Sequence, residues 1–107
     1  MNTEVRKAVK KPVEIEYMVW PGGASNATPV IDWILSNDGA ARYHSIVTEQ
    51  SYEVPDAVVV RDPEDIAIDT LEGTMRAQPG SVIIRGVAGE FYACDPDIFT
   101  KTYEVVT

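Results

Sequence analysis

Two glutamates, Glu72 in "LEGT" and Glu90 in "AGEF", each stand beside a glycine at a predicted turn. Carboxylates that converge can do acid/base work, because surroundings that split their proton affinities leave one neutral and one charged. Arg76 and Tyr92 stand close to them in sequence. If all four meet, they form a pocket for a small polar ligand, so Glu72, Arg76, Glu90 and Tyr92 are the ligand-binding residues expected. Trp20 is a further aromatic that such a pocket could use. The competing reading is that both glutamates merely flank turns.

Other reactive residue types lack the company that chemistry needs. His44 is the only histidine, with Ser45, Thr48 and Ser51 nearby but no nucleophile-elbow pattern. The segment "RDPEDIAID" gathers Asp62, Glu64, Asp65 and Asp69. Oxygens of this kind can hold a cation, but the spacing fits no calcium loop and reads as a solvated acidic stretch. The glycines of "PGG" (21–23) and "GVAG" (86–89) match neither a dinucleotide fingerprint nor a P-loop, and turn geometry accounts for them. Cys94 is the only cysteine, so neither an internal disulfide nor a cysteine-rich metal site is available. Asp95 and Asp97 beside it disfavour a thiolate, and a packed, unreactive thiol is expected. No catalytic residue, metal or cofactor follows from these patterns.

The elements that must position these residues are mostly short strands. In "KPVEIEYMVW", Val13, Ile15, Tyr17 and Val19 alternate with Glu14, Glu16 and Met18, which predicts a half-buried strand opened by Pro12. "TPVIDWILSNDG" is the one convincing helix, over about 29–37. Thr28 is placed to cap it, Pro29 to open it and Gly39 to end it in a left-handed conformation. Its apolar stripe is Val30, Trp33 and Ile34. "ARYHSIVTEQSYEV" reads as one or two strands, and "PDAVVVRDPED" holds a short apolar run. "DIAIDTLEGTMRAQ" reads as a hairpin turning at "EGT". "SVIIR" and "EFYAC" read as strands joined by the turn "GVAG". Asp95 and Pro96 open a helical turn, and "TYEVV" reads as a final strand.

Six to eight short strands with one sure helix predict an α+β fold. Its sheet is expected to be mainly antiparallel and barrel-like in curvature, with the helix packed on one face. The expected core is Val13, Ile15, Tyr17, Val30, Trp33, Ile34, Ile66, Ile68, Val82, Ile84, Phe91, Ile98, Phe99 and Val105.

At 107 residues the chain is one domain's worth, read as a flexible basic segment (1–11) followed by a single domain (12–107). Two Trp and five Tyr argue against disorder. No apolar run is long enough to span a membrane, and the first residues lack a signal-peptide pattern, so cytoplasmic residence is expected. The net charge is −8, and Arg6, Lys7, Lys10 and Lys11 fall in the first eleven residues. From Pro12 onward 16 acidic residues face 5 basic ones, a net of −11. Such a body repels phosphate backbones and is suited to a basic protein surface instead.

The two ends of the chain carry a resemblance. "KKPVEIEYMVW" near the start and "IAIDTLEGTMRAQPGSVIIRGVAGEFYACDPDIFTKTYEVV" near the end resemble a group of small tailed-phage proteins. In that group a "RKKPV-IEA-QW" opening precedes a "TLEG---A-PGD-II-GV-GE-Y-C-PDIF--TYE" close. Glycines, prolines and apolar positions agree in order and spacing over about half the chain. Ser81 stands where the group often carries Asp, and "YMVW" replaces "A-QW". The resemblance implies a phage or prophage origin and, by itself, no activity.

Small size, acidity and the lack of a nucleophile–base pair make a non-enzymatic binding protein the first expectation. It would act on a host protein with a basic surface inside the bacterial cell, without contacting nucleic acid or membrane. Sequestration of a small nucleotide-type ligand is the alternative, and a virion-associated structural role a further one. Strand edges left unpaired would permit a homodimer.

Overall fold

A computed structural model describes residues 4–45 and 64–106 of the chain. Among the described residues eight elements follow in order: β1 (Glu16–Val19), α1 (Ala24–Ser36), β2 (Ala41–Ser45), β3 (Glu64–Thr70), β4 (Gly73–Ala77), β5 (Val82–Arg85), β6 (Phe91–Cys94) and α2 (Pro96–Thr102). The fold is α+β, and every strand pairing among the described residues is antiparallel. Thr48, Ser51, Asp62 and the apolar run at 57–60 lie outside the described residues.

The strands do not curl into a barrel. They form two open three-stranded sheets, ordered β1-β5-β6 and β2-β3-β4. Where β6 approaches the second sheet, the amide of Ala93 donates to the Met75 sulfur at 3.1 Å. A side chain takes the donor that a neighbouring strand would accept in a closed barrel.

Between the sheets and α1 lies the main core, with Trp20, Val30, Ile34, Ile66, Ile68, Ile83 and Phe91 at its centre. Register explains who enters it. Tyr43, Ile66 and Ala77 stand opposite one another across β2-β3-β4, as do Ala41, Ile68 and Met75, and all of these but the exposed Met75 pack into the core. Arg42, Ala67 and Arg76 alternate to the outer face. In the first sheet Met18, Ile83 and Ala93 share a row on the core side. Val82 and Ile84 point the other way, into a second cluster with Phe99 of α2.

Several expected core positions are therefore corrected. Val13, Tyr17, Ile98 and Val105 are exposed. β1 begins only at Glu16, and the side of it that carries Met18, not Val13 and Tyr17, faces the main core. Residues 103–106 form no strand. Of the two apolar residues in "DPDIF" only Phe99 is buried; α2 rotates Ile98 outward. Ile15 and Trp33 are partly buried at the margins of the two clusters, Trp33 edge-on to Phe91 at 5.1 Å.

Helix α1 starts five residues before Pro29. Gly23 caps it with φ of 89°, a conformation open chiefly to glycine. Its amide is held by the Glu64 carboxylate at 2.8 Å. With the start fixed there, Thr28 lies inside the helix and donates to the Ala24 carbonyl instead of capping. Pro29 sits in the second turn, where its missing N–H removes one helical hydrogen bond on the exposed side. At the other end Asp38, with φ of 66°, takes the left-handed position expected of Gly39.

Gly39 is required for a different reason. A Cβ there would lie 2.6 Å from Ile34 Cγ2, 2.9 Å from Phe91 Cδ2 and 3.1 Å from the Ile34 carbonyl oxygen. Two of these neighbours are packed core side chains and the third is backbone, so none yields cheaply. Gly39→Ala is expected to lower stability by about 1–3 kcal/mol, as overpacking does. Urea unfolding with an unchanged slope and a lower midpoint checks it.

Candidate functional site

The four residues picked out by sequence do not come together. Glu72 is exposed in the β3–β4 turn and Glu90 in the β5–β6 turn, so they belong to hairpins of different sheets. Arg76 lies on the outer face of β2-β3-β4, where its guanidinium holds Asp65 at 3.0 and 3.1 Å. Tyr92 lies on the α2 side of β1-β5-β6, its hydroxyl 3.1 Å from that of Tyr103. The main core stands between those two outer faces. Only Glu90 and Tyr92 are neighbours, two residues apart on one face of the chain entering β6. Trp20 is wholly buried and donates its indole N–H to the Gly23 carbonyl at 3.0 Å.

His44 is exposed on β2, opposite Asp65 in register. Of the acidic stretch, Glu64 is structural. One of its oxygens accepts from both the Gly23 amide and the Tyr43 hydroxyl, the latter at 2.9 Å. Asp65 and Asp69 neutralise Arg76 and Arg42. Asp69 is held below the usual carboxylate range by the Thr74 hydroxyl and then by Arg42. Among the described residues no group of His, Cys, Asp and Glu is arranged to hold a metal ion. None of the helices there is long and apolar enough to cross a membrane. The Cys94 thiol is pushed up, first by burial and then by Asp95.

Charge is distributed by these pairings. In the body, Arg42, Arg76 and Arg85 each spend their cation on a carboxylate of the neighbouring strand: Asp69, Asp65 and Glu16. Asp32, Asp38, Glu72 and Glu90 are exposed and have no ion-pair partner among the described residues. Among the described residues of the body all three arginines are paired, and the surplus of carboxylates is what the surface exposes.

One feature was hidden from sequence reasoning. The basic head folds back on α2. Lys10 donates from Nζ to the Tyr103 hydroxyl, and its ammonium lies 4.1 Å from the centre of the ring. Tyr17, Phe99 and Tyr103 stack in a row, with centroids 4.7 and 5.1 Å apart. They line a cleft of about 630 Å³ between residues 10–15, α2 and residues 103–106. The signal that could have found it is the four-residue helical spacing of Phe99 and Tyr103, which the expectation of a strand at "TYEVV" obscured.

The tyrosine pair divides its protons unequally. Tyr103 is lowered from the ordinary value of 10, first by the Lys10 ammonium and then by Tyr92. Tyr92 is raised, first by burial and then by Tyr103. A raised phenol binds its proton more tightly folded than unfolded, so its contribution is complete below pH 10 and is lost as pH rises towards its folded value. Tyr103 acts in the opposite sense, adding stability as pH climbs from its lowered value to 10. Stability is therefore expected to fall above pH 10, and Tyr92→Phe to flatten that fall; chemical denaturation across pH 8–11 checks it.

Compared with known proteins, the chain matches no family model, no curated protein sequence and no solved structure.

Proposed function

We propose that this chain is a non-enzymatic, phage-encoded binding protein that acts in the cytoplasm of the host bacterium by docking a basic surface of a host protein. One observation carries the reading: among the described residues Arg42, Arg76 and Arg85 are neutralised within the body's own sheets, while Asp32, Asp38, Glu72 and Glu90 remain exposed without ion-pair partners. Carboxylates that no internal cation satisfies are available to an external one, and they steer encounter with a positively charged partner. The same charge disfavours a nucleic-acid backbone. The resemblance of the two chain ends to small tailed-phage proteins supplies the host setting. The scattering of Glu72, Arg76, Glu90 and Tyr92 over separate hairpins and faces supports a surface that binds rather than a pocket that converts.

The test is capture of host proteins on the tagged chain at low salt. A stoichiometric partner rich in Lys and Arg is expected, released as salt shortens the screening length to below about 10 Å, and absent when Asp32, Asp38, Glu72 and Glu90 are all changed to Lys. Failure to capture any partner, or capture that ignores both salt and charge reversal, overturns the proposal.

A further inference from the structure

Helix α2 ends by fixing one phenol in place. Tyr103 caps it, with its amide donating to the Phe99 carbonyl at 2.8 Å and its ring stacked on that of Phe99. The Tyr103 hydroxyl oxygen is then approached from two sides. Lys10 donates to it from Nζ, and the same ammonium stands over the ring. The Tyr92 hydroxyl, on β6, lies 3.1 Å away. Tyr92 is the half of this pair that is pushed up and Tyr103 the half that is brought down, so Tyr92 donates and Tyr103 accepts. An oxygen that accepts from an ammonium and from a second phenol is stabilised as the phenolate, because both donors favour the charged form.

No other described tyrosine has this company. Tyr43 donates to the Glu64 carboxylate, which holds its proton. Tyr17 offers its ring to Phe99, and its hydroxyl has no hydrogen-bond partner among the described residues. Of the groups facing Tyr103, Cys94 opposes the phenolate, but its thiol is itself pushed up and stays neutral near pH 8. Lys11 and Lys101 are balanced along the cleft by Glu14 and Glu104, which leaves Lys10 to decide the charge at the Tyr103 oxygen. That oxygen is within reach from outside. Tyr103 lines the cleft of about 630 Å³, whose walls include the exposed Val13 and Val105.

We propose that Tyr103 is a nucleophilic modification site, whose oxygen takes an activated acyl group from a small uncharged donor that enters the cleft. Holding a hydroxyl closer to its charged form is what turns a weak nucleophile into an effective one. In the step the Tyr103 oxygen attacks the acyl carbon, the bond from that carbon to the leaving group breaks, and the phenolic proton ends on the leaving group. Lys10 keeps its own proton and holds the oxygen until the new bond forms. The aliphatic and aromatic walls admit an acyl group, whereas Glu14 and Glu104 turn away a polyanionic donor. The reaction is stoichiometric, one group on one side chain. This site is separate from the acidic surface proposed to meet a basic partner, and the two stand or fall independently.

The experiment treats the full chain with N-acetylimidazole near pH 8 and locates acetyl groups by peptide mass spectrometry. Hydroxylamine strips tyrosine esters and leaves lysine amides, so it separates the two products. Expected is a hydroxylamine-labile acetyl at Tyr103, formed about threefold or more faster than at Tyr17, with a rate that levels off below pH 10. Lys10→Gln should slow Tyr103 by about threefold or more and move that levelling to higher pH. Lys10→Arg keeps a cation over the ring and should keep most of the rate. Equal rates at Tyr17 and Tyr103 overturn the proposal, as does acetyl that resists hydroxylamine alone. So does a rate indifferent to Lys10→Gln, or one that rises in it, which would show that the basic head merely shields the ring.

Discussion

Trp20→Ala is expected to cost about 3–5 kcal/mol, the range for truncating a buried large aromatic, and to lower the melting temperature by roughly 10 °C or more. Trp20 sits just past the end of β1 and is wholly buried. It meets Tyr43 edge-on at 6.2 Å and so bridges the two sheets. Its backbone donates to the Ser81 carbonyl at 3.0 Å and accepts from the Gly80 amide at 2.7 Å, tying β1 to the turn before β5. The indole N–H then holds the Gly23 carbonyl at the start of α1. Removing the ring opens a cavity among β-branched neighbours and orphans a carbonyl at a helix cap. Against a total stability of about 5–15 kcal/mol, that is a large fraction. Trp20→Phe separates the two effects: it restores most of the apolar volume and should lose little beyond the indole bond, about 1 kcal/mol. Equilibrium denaturation of both variants checks this; equal losses would show that the hydrogen bond, not the volume, dominates.

Trp20 also shows where sequence reading stops. Hairpins were legible because their signals are local: "TLEGT" and "RGVAGE" carry turn residues between apolar runs, and β3–β4 and β5–β6 form as those signals require. Asp95 and Pro96 were legible as a helix start for the same reason, and Asp95 indeed accepts from the amides of Asp97 and Ile98. The start of α1 was not legible, because it is fixed by Glu64, 41 residues away, and no local rule reports a cap supplied from another strand. The apparent capping pair Thr28–Pro29 lost to that long-range bond. Gly39 was picked out correctly as special but for backbone freedom, when what it supplies is space. For the candidate site, closeness in sequence grouped Arg76 and Tyr92 with the two glutamates, but it could not say that Arg76 is committed to Asp65, on the sheet that Glu90 and Tyr92 do not belong to. Nor could it show the basic head returning to α2, since Lys10 and Tyr103 are 93 residues apart.

The largest error of pattern reading concerns β5, and it leads to the second prediction. The expected core holds Val82 and Ile84 of "SVIIR" and omits Ile83. In the structure Val82, Ile83 and Ile84 are all buried. β5 is the central strand of its sheet, with Ile83 between Met18 and Ala93 facing the main core and Ile84 between Tyr17 and Tyr92 facing α2. A short continuous apolar run is what a strand covered on both sides requires, and only the presence of α2 on the far face decides between the two readings. Ile83→Ala and Ile84→Ala should therefore each cost about 2–5 kcal/mol, with Ile83 the dearer. Its side chain is enclosed by two sheets and a helix, which cannot collapse into the void. Ile84 is covered by the seven-residue α2 and the Tyr92–Tyr103 pair, which can settle inward and recover part of the loss. If Ile84→Ala were nearly neutral, α2 would not be packed on the sheet. The cleft against it would then lose its floor.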